Sequence, residues 1–244
     1  IDKVNDGYLL SGRNALYKLN NNLDFIERIL WEKKLNLSAG SYNTIVTSKN
    51  QIIGISKNYF TNYSNNFWFK LPSFGNDILE VNNNIFLATK NGLLLYDDHL
   101  KDKFKVLIGD ENVIKLMLLD KNLFAICKDG KVFMFNEKLN AKLYNVGNVS
   151  LNDACYNDLN TLILASNTGI YFLNLLDGSI KSFNTSDGLL DKEVFKIATY
   201  NNLAYYSTNY GIGRFSLNKV KNNLIAPKIV LAMAKSNESI GFRS

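Results

Sequence analysis

Short apolar runs alternate with polar turns along the whole chain, and one stretch shows the unit clearly. In Ile85–Asp97, IFLATKNGLLLYD, an apolar run ends at Thr89, a polar turn Lys90-Asn91-Gly92 follows, and a second apolar run returns over Leu93–Tyr96. Asn-Gly between two such runs predicts a β-hairpin with a type I′ turn, whose two central residues both need φ > 0. The same order recurs from Gly7 (GYLLSGRNALYKLN), Ile52 (IIGISKNYFTNYS), Leu123 (LFAICKDGKVFMFN), Leu162 (LILASNTGIYFLN) and Leu203 (LAYYSTNYGIGRFS). The turn position falls at Asn14, Asn58, Asn91, Asp129, Thr168 and Asn209, at intervals of about 33 to 44 residues. A period near 40 built only of strands predicts propeller blades.

Each unit has room for two more strands. Asp77–Val81 precedes the third hairpin and Lys103–Ile108 follows it; Val113–Leu119 and Ala141–Val146 flank the fourth, and Glu193–Tyr200 leads the sixth. Four antiparallel strands make one blade. The second strands, such as Phe124-Ala125-Ile126, lack a polar face, as expected of a strand covered on both sides by neighbouring blades. The expected fold is an all-β propeller of four-stranded antiparallel blades, six of them visible and seven possible. They lie near 1–40, 41–74, 75–109, 110–147, 148–185 and 186–223. Leu224-Ile225-Ala226-Pro227-Lys228 breaks the pattern. Residues 224–244 are therefore expected to begin a following β-sandwich or to supply part of a seventh blade. The opening Ile1-Asp2-Lys3-Val4 reads as the interior of a blade, so the chain is expected to be a piece of a longer protein.

The 244 residues are 46% hydrophobic, ample for a sizeable core. The net charge of +6 comes without any run of four Lys/Arg, so no nucleic-acid partner is expected. No apolar stretch is long enough to span a membrane as a helix. Cys127 and Cys155 are expected to be buried free thiols. The single histidine, His99, cannot build a His-rich metal site, and no nucleotide, phosphate or nucleophile motif is present. Asp187, Asp191 and Glu193 cluster before the sixth unit and read as a solvated loop more than as an acid–base pair. No cofactor, metal or catalytic residue is expected.

Two features point to binding instead. The residue before the turn position is Arg13, Lys57, Lys90 and Lys128 in the first four units, and Asn167 and Thr208 in the last two. In radially equivalent blades these positions share one face, where converging positive charge attracts anions. Tyr59 and Tyr210 fall in the same turns and could stack on sugar rings. The run Tyr59-Phe60-Thr61-Asn62-Tyr63 with Phe67-Trp68-Phe69 reads first as inter-blade packing and second as a stacking platform. The candidate ligand-binding set is thus Arg13, Lys57, Tyr59, Lys90, Lys128 and Tyr210. The expected partner is an oligosaccharide or other anionic glycan, or lipopolysaccharide phosphate.

The sixth unit carries a further signature. Thr185-Ser186-Asp187-Gly188-Leu189-Leu190, then Val194-Phe195-Lys196-Ile197, then Ser207-Thr208-Asn209-Tyr210-Gly211-Ile212-Gly213-Arg214-Phe215 resembles the two-component regulator propeller repeat. Asn167-Thr168-Gly169-Ile170-Tyr171 and Lys90-Asn91-Gly92-Leu93 match it in part, and Ala226-Pro227-Lys228-Ile229-Val230-Leu231 resembles the opening of the triple-tyrosine β-sandwich that follows such propellers. The resemblance implies a periplasmic or cell-surface sensor propeller of Bacteroidetes type, glycan-sensing, with a homodimer or surface complex among its partners. The alternative it implies is a structural component of a type 9 secretion or outer-membrane complex. The repeat motif fixes no ligand residues.

Overall fold

The computed structural model describes residues 2–4, 7–11, 15–30, 43–97, 99–100, 103–158 and 160–218. Among them the strands fall into six antiparallel sheets in chain order. The first is β1 (Asp2–Val4), β2 (Gly7–Ser11), β3 (Ala15–Leu19) and β4 (Phe25–Leu30). The second is β5 (Asn43–Val46), β6 (Ile52–Ile55), β7 (Tyr59–Asn62) and β8 (Phe67–Lys70). The third is β9 (Gly75–Val81), β10 (Asn84–Thr89), β11 (Gly92–Tyr96) and β12 (Phe104–Gly109). The fourth is β13 (Val113–Leu119), β14 (Asn122–Cys127), β15 (Lys131–Phe135) and β16 (Ala141–Asn145). The fifth is β17 (Leu151–Asp158), β18 (Thr161–Ser166), β19 (Gly169–Asn174) and β20 (Ile180–Phe183). The sixth is β21 (Lys196–Tyr200), β22 (Leu203–Thr208) and β23 (Gly211–Ser216). The leading strands touch in succession, β1 to β5, β5 to β9, β9 to β13, β13 to β17 and β17 to β21. Meander sheets stacked through their leading strands are propeller blades. The turn residues Arg13 and Asn14 and the segment 224–244 lie outside the described residues.

The doubly apolar second strands have a direct cause. Leu87 of β10 packs with Ile53, Ile55 and Phe60 of the second sheet, while Phe86 and Ala88 turn the other way onto Val113, Leu123 and Ala125 of the fourth. Along β14, Phe124 and Ile126 face Leu151, Ala154 and Leu164 of the fifth sheet, and Leu123, Ala125 and Cys127 face the third. Ile163 and Ala165 of β18 continue the pattern against Ile197, Ala204, Tyr206 and Phe215. Alternation along these strands therefore sorts side chains between two cores, not between core and water. The sixth sheet differs. On β22 Ala204, Tyr206 and Thr208 are buried but Leu203, Tyr205 and Ser207 are half-buried, and Tyr200 and Ile212 beside them are 69% and 75% exposed. Among the described residues this sheet is covered on one face only.

The turns correct one expectation. The type I′ geometry belongs to the inner hairpins, where Asn82-Asn83, Asp120-Lys121 and Asn201-Asn202 all have φ between 44° and 64°. Short polar side chains that hydrogen-bond locally tolerate this conformation. In the signature hairpin Thr89 pairs with Gly92, so the two loop residues are Lys90-Asn91, and neither has positive φ. Gly92 stands after the turn, with φ 140°, and is needed for another reason. A Cβ there would lie 2.0 Å from the Ile108 carbonyl oxygen of β12.

Cys127 is fully buried in the core between the third and fourth sheets, and Cys155 packs against the core between the fifth and sixth; both are free. Burial pushes each thiol up to about 12. In the unfolded chain a thiol ionises near 8.5. Between these values the unfolded state gives up protons that the native state keeps, so the contribution of both thiols to stability is present at neutral pH and falls as pH rises from about 9 toward 12. The expected result is a stability that declines over that window and flattens when both positions are changed to Ala, read by denaturant unfolding at stepped pH. Native thiol alkylation at pH 8 should be slow and should accelerate on unfolding.

Candidate recognition face

Antiparallel order alone puts the turns after β6, β10, β14, β18 and β22 on one face of the array, together with the connections that lead into the next sheet. The turn residues Asn58, Asn91, Asp129, Thr168 and Asn209 therefore share this face. Their preceding residues Lys57, Lys90 and Lys128 sit on it in the second, third and fourth sheets.

The connections are fixed by hydrogen bonds that recur between leading strands, the first of them from Asn43 Nδ2 of β5 to the Asn76 carbonyl at 2.9 Å. Asn76 Nδ2 donates to the Val113 carbonyl at 2.7 Å, and Asn152 Nδ2 donates to the Val194 carbonyl at 2.9 Å. The next residue then acts as an acceptor: Asp77 Oδ2 receives the Leu116 amide at 2.8 Å, and Asp153 Oδ2 receives the Ile197 amide at 3.1 Å. Lys115 Nζ reaches across to Asp153 Oδ1 at 2.6 Å and to the Ala154 carbonyl at 2.5 Å. Lys196 Nζ approaches the other carboxylate oxygen at 3.9 Å. One buried carboxylate thus ties the leading strands of the fourth, fifth and sixth sheets. The single-blade repeat does not mark these residues. Their signal in the sequence is an Asn-Asp pair at 76–77 and 152–153, each followed one blade later by Val-x-Lys-Leu/Ile at 113–116 and 194–197.

The expected cations separate. Lys57 Nζ stands 4.4 Å from the centroid of the Phe74 ring, and Lys90 Nζ stands 5.9 Å from the same ring. Phe74 lies in the connection between β8 and β9 and is 43% exposed. The backbone pins it there: its carbonyl accepts the Lys90 amide at 2.7 Å, and the Lys57 carbonyl accepts the Gly75 amide at 3.1 Å. Neither lysine has an ion pair among the described residues. Lys128 instead turns to Asn152 Oδ1 at 2.5 Å. Burial pushes its ammonium below the usual lysine value, against the attraction of Glu193.

The aromatic candidates also divide. Tyr210 is a turn residue and 76% exposed. Tyr59 is not in the turn; it is the first residue of β7, half-buried, edge-on to Trp68 at 5.1 Å and packed against the core of the first two sheets. Tyr59 holds the place that Gly92 holds in the third unit, because the loop is only two residues long in both hairpins, Lys57-Asn58 and Lys90-Asn91. The dense aromatic run is packing: Phe60 stacks on Phe69 and Tyr96 at 4.8 and 5.1 Å, and Phe69 meets Phe104 at 5.1 Å, across the second and third sheets.

Four acidic groups on this face, Glu111, Asp129, Asp187 and Asp191, are engaged. Glu111, Cys127 and Asp129 lie close enough together to suggest a cation site. However, Lys131 Nζ binds Glu111 at 2.5 Å and Asp129 at 2.8 Å, and those hydrogen bonds raise its pKa. A protein ammonium already sits between the carboxylates. Asp187 caps the short 3₁₀ turn Thr185–Asp187, and Asp191 accepts from Asn209. Beside Asp129 a polar groove of about 620 Å³ runs between the fourth and fifth sheets, lined by Lys128, Asn148, Ser150 and Asn167.

No family model and no curated protein matches the sequence. Solved structures match the fold. The extracellular domain of a protein assigned as a one-component system of B. thetaiotaomicron is similar with a TM-score of 0.60 and 15% identity, over 83% of this chain and 31% of that one. The Neurospora crassa Pan2 WD40 domain has a TM-score of 0.61 and 12% identity, over 91% of this chain and 75% of that one. The dihydro-heme d1 dehydrogenase NirN has a TM-score of 0.63 and 12% identity, over 91% of this chain and 52% of that one. The chain spans under a third of the length of the B. thetaiotaomicron protein. At these identities the likeness is one of fold: an all-β propeller, shared by sensor, WD40 and enzyme chains.

Proposed function

We propose that this chain is a non-catalytic recognition propeller from an extracytoplasmic sensor, and that its turn face receives an anionic glycan. The observation that carries the reading is that Lys57 and Lys90, from successive blades, approach one part-exposed ring, and neither has an ion pair among the described residues. Like charges held together without a counterion raise local anion concentration. Lys128 and the exposed Tyr210 lie further along the same face. The engagement of Glu111, Asp129, Asp187 and Asp191 supports a binding role over acid–base chemistry by those groups, and the likeness to an extracellular sensor domain supports placement outside the cytoplasm.

The test is binding of sulfated or uronic oligosaccharides against neutral ones of equal length at two salt concentrations, for wild type and Lys57→Ala/Lys90→Ala/Lys128→Ala. The expected result is preference for the charged ligands and weakening at high salt, since the Debye length is about 8 Å at physiological ionic strength. The triple variant should bind about tenfold more weakly or worse. Equal binding of charged and neutral ligands by wild type sinks the reading.

A further inference from the structure

We infer that Lys57, Phe74 and Lys90 form a single anion clamp at the junction of the second and third sheets, and that it takes one carboxylate, sulfate or phosphate group carried on a ring. The inference rests on the recognition reading above and narrows it to one place.

Three observations converge on this point. The two ammonium groups come from successive blades yet approach the same aromatic ring, at 4.4 and 5.9 Å. A cation over a phenyl face gains attraction from the ring quadrupole, so Phe74 favours the presence of both ammonium groups beside it. The place is rigid. The Phe74 carbonyl and the Lys57 carbonyl are both tied to the neighbouring backbone, and Ser73 Oγ accepts the Asn91 amide at 3.2 Å. Neither lysine has a carboxylate within ion-pair distance among the described residues, so the two charges are left without a protein counterion there. An anion bridging the two ammonium groups relieves the repulsion and makes charge-assisted hydrogen bonds to each. Phe74, 43% exposed, offers apolar surface to the ligand's ring carbons beside the charge. Lys128 is outside the clamp, since its ammonium is bound to Asn152 near the leading strand of the fifth sheet.

The experiment compares five forms of the chain: wild type, Lys57→Ala/Lys90→Ala, Phe74→Ala, Phe74→Trp and Lys128→Ala. The probes are a polyuronate oligosaccharide, a sulfated oligosaccharide, a phosphorylated sugar and a neutral oligosaccharide, each titrated at several salt concentrations. The three charged probes separate the three candidate anions. The double lysine variant should lose about tenfold or more in affinity for the preferred charged probe. Its dependence of affinity on salt should become shallower, a readout that general loss of structure would not give. Phe74→Ala should weaken binding several-fold, Phe74→Trp should restore it, and Lys128→Ala, outside the clamp, should cost clearly less than the double lysine variant does. Lys57, Phe74 and Lys90 are exposed residues of turns or connections, so melting temperatures near wild type are expected for their variants and serve as the folding control. If wild type binds charged probes and the double variant binds them equally well, the clamp is wrong and the broader reading stands. If wild type binds no charged probe better than the neutral one, the recognition reading fails and takes the clamp with it.

Discussion

Replacing Asp153 by Ala is expected to destabilise the propeller by about 3 kcal/mol, lowering the melting temperature by roughly 6–12 °C for a chain of this size. Asp153 is 4% exposed and is the common acceptor for groups on both sides of its own blade. It receives Lys115 from the fourth sheet and the Ile197 amide from the sixth. Its removal leaves Lys115, whose side chain is only 31% exposed, with one backbone carbonyl, and leaves the Ile197 amide buried without an acceptor. Loss of one partner from a part-buried pair costs more than the pair itself contributes, because the remaining charge stays desolvated. The exposure of Lys115 sets the value toward the lower end of the usual range. Lys196 supplies the internal comparison. Its side chain is 76% exposed and 3.9 Å from the carboxylate, so Lys196→Ala should cost no more than a surface ion pair, under about 0.5 kcal/mol. Asp153→Asn keeps one acceptor for Ile197 and should fall between the two. Thermal melts of the three variants test this, and an Asp153→Ala protein that melts within about 2 °C of wild type, less than 1 kcal/mol at this size, would mean that apolar inter-blade packing alone holds these sheets together.

The architecture was legible because each blade repeats the same burial problem. Runs such as Phe124–Ile126 and Ile163–Ala165 have no polar face because each strand serves two cores, and that pattern survives any drift in residue identity. The site was legible only in part. The Lys before each turn could be read from the repeat, since topology fixes where the backbone goes. Where the side chain points could not be read, because that depends on partners far away in sequence. Lys128 finds Asn152 across a blade boundary, while Lys57 and Lys90 find Phe74 in the connection between their sheets. Phe74 itself follows Pro72-Ser73 in a stretch with no repeat counterpart, so periodicity could not mark it. Tyr59, like Gly92, reads as a turn residue but opens the returning strand, because the loops hold two residues and a three-residue polar stretch does not show which residue begins the pairing. The Asn-Asp latches were hidden differently. The pair stands at 76–77 and 152–153, but the matching place holds Asn43-Thr44 in the second sheet and Val113-Ile114 in the fourth, so no one residue pair marks every blade.

The glycine that marks those returning strands supports the second large prediction. Gly92→Ala is expected to cost about 4 kcal/mol and Gly211→Ala clearly less, although the two occupy the same place in their blades. Both have strongly positive φ, 140° and 120°, where an L side chain is strained by about 1–3 kcal/mol. They differ in what a side chain would meet. At Gly92 an added Cβ lies 2.0 Å from the Ile108 carbonyl oxygen, and that carbonyl belongs to the fourth strand of the same sheet, which must move to admit it. Forcing a packed backbone apart adds about 1–3 kcal/mol. At Gly211 nothing lies within 4 Å, and the described part of the sixth sheet ends at β23 without a fourth strand beside it. Gly169 behaves like Gly92, since a Cβ added there would lie 2.2 Å from the Phe183 carbonyl oxygen, so Gly169→Ala should follow the larger value. Denaturant unfolding of the three variants, compared at unchanged m-value, separates the two contributions. Equal losses at Gly92 and Gly211 would show that strain in the turn is the whole cost. A larger loss at Gly92 and Gly169 would show that the close approach of the fourth strand is what these glycines serve.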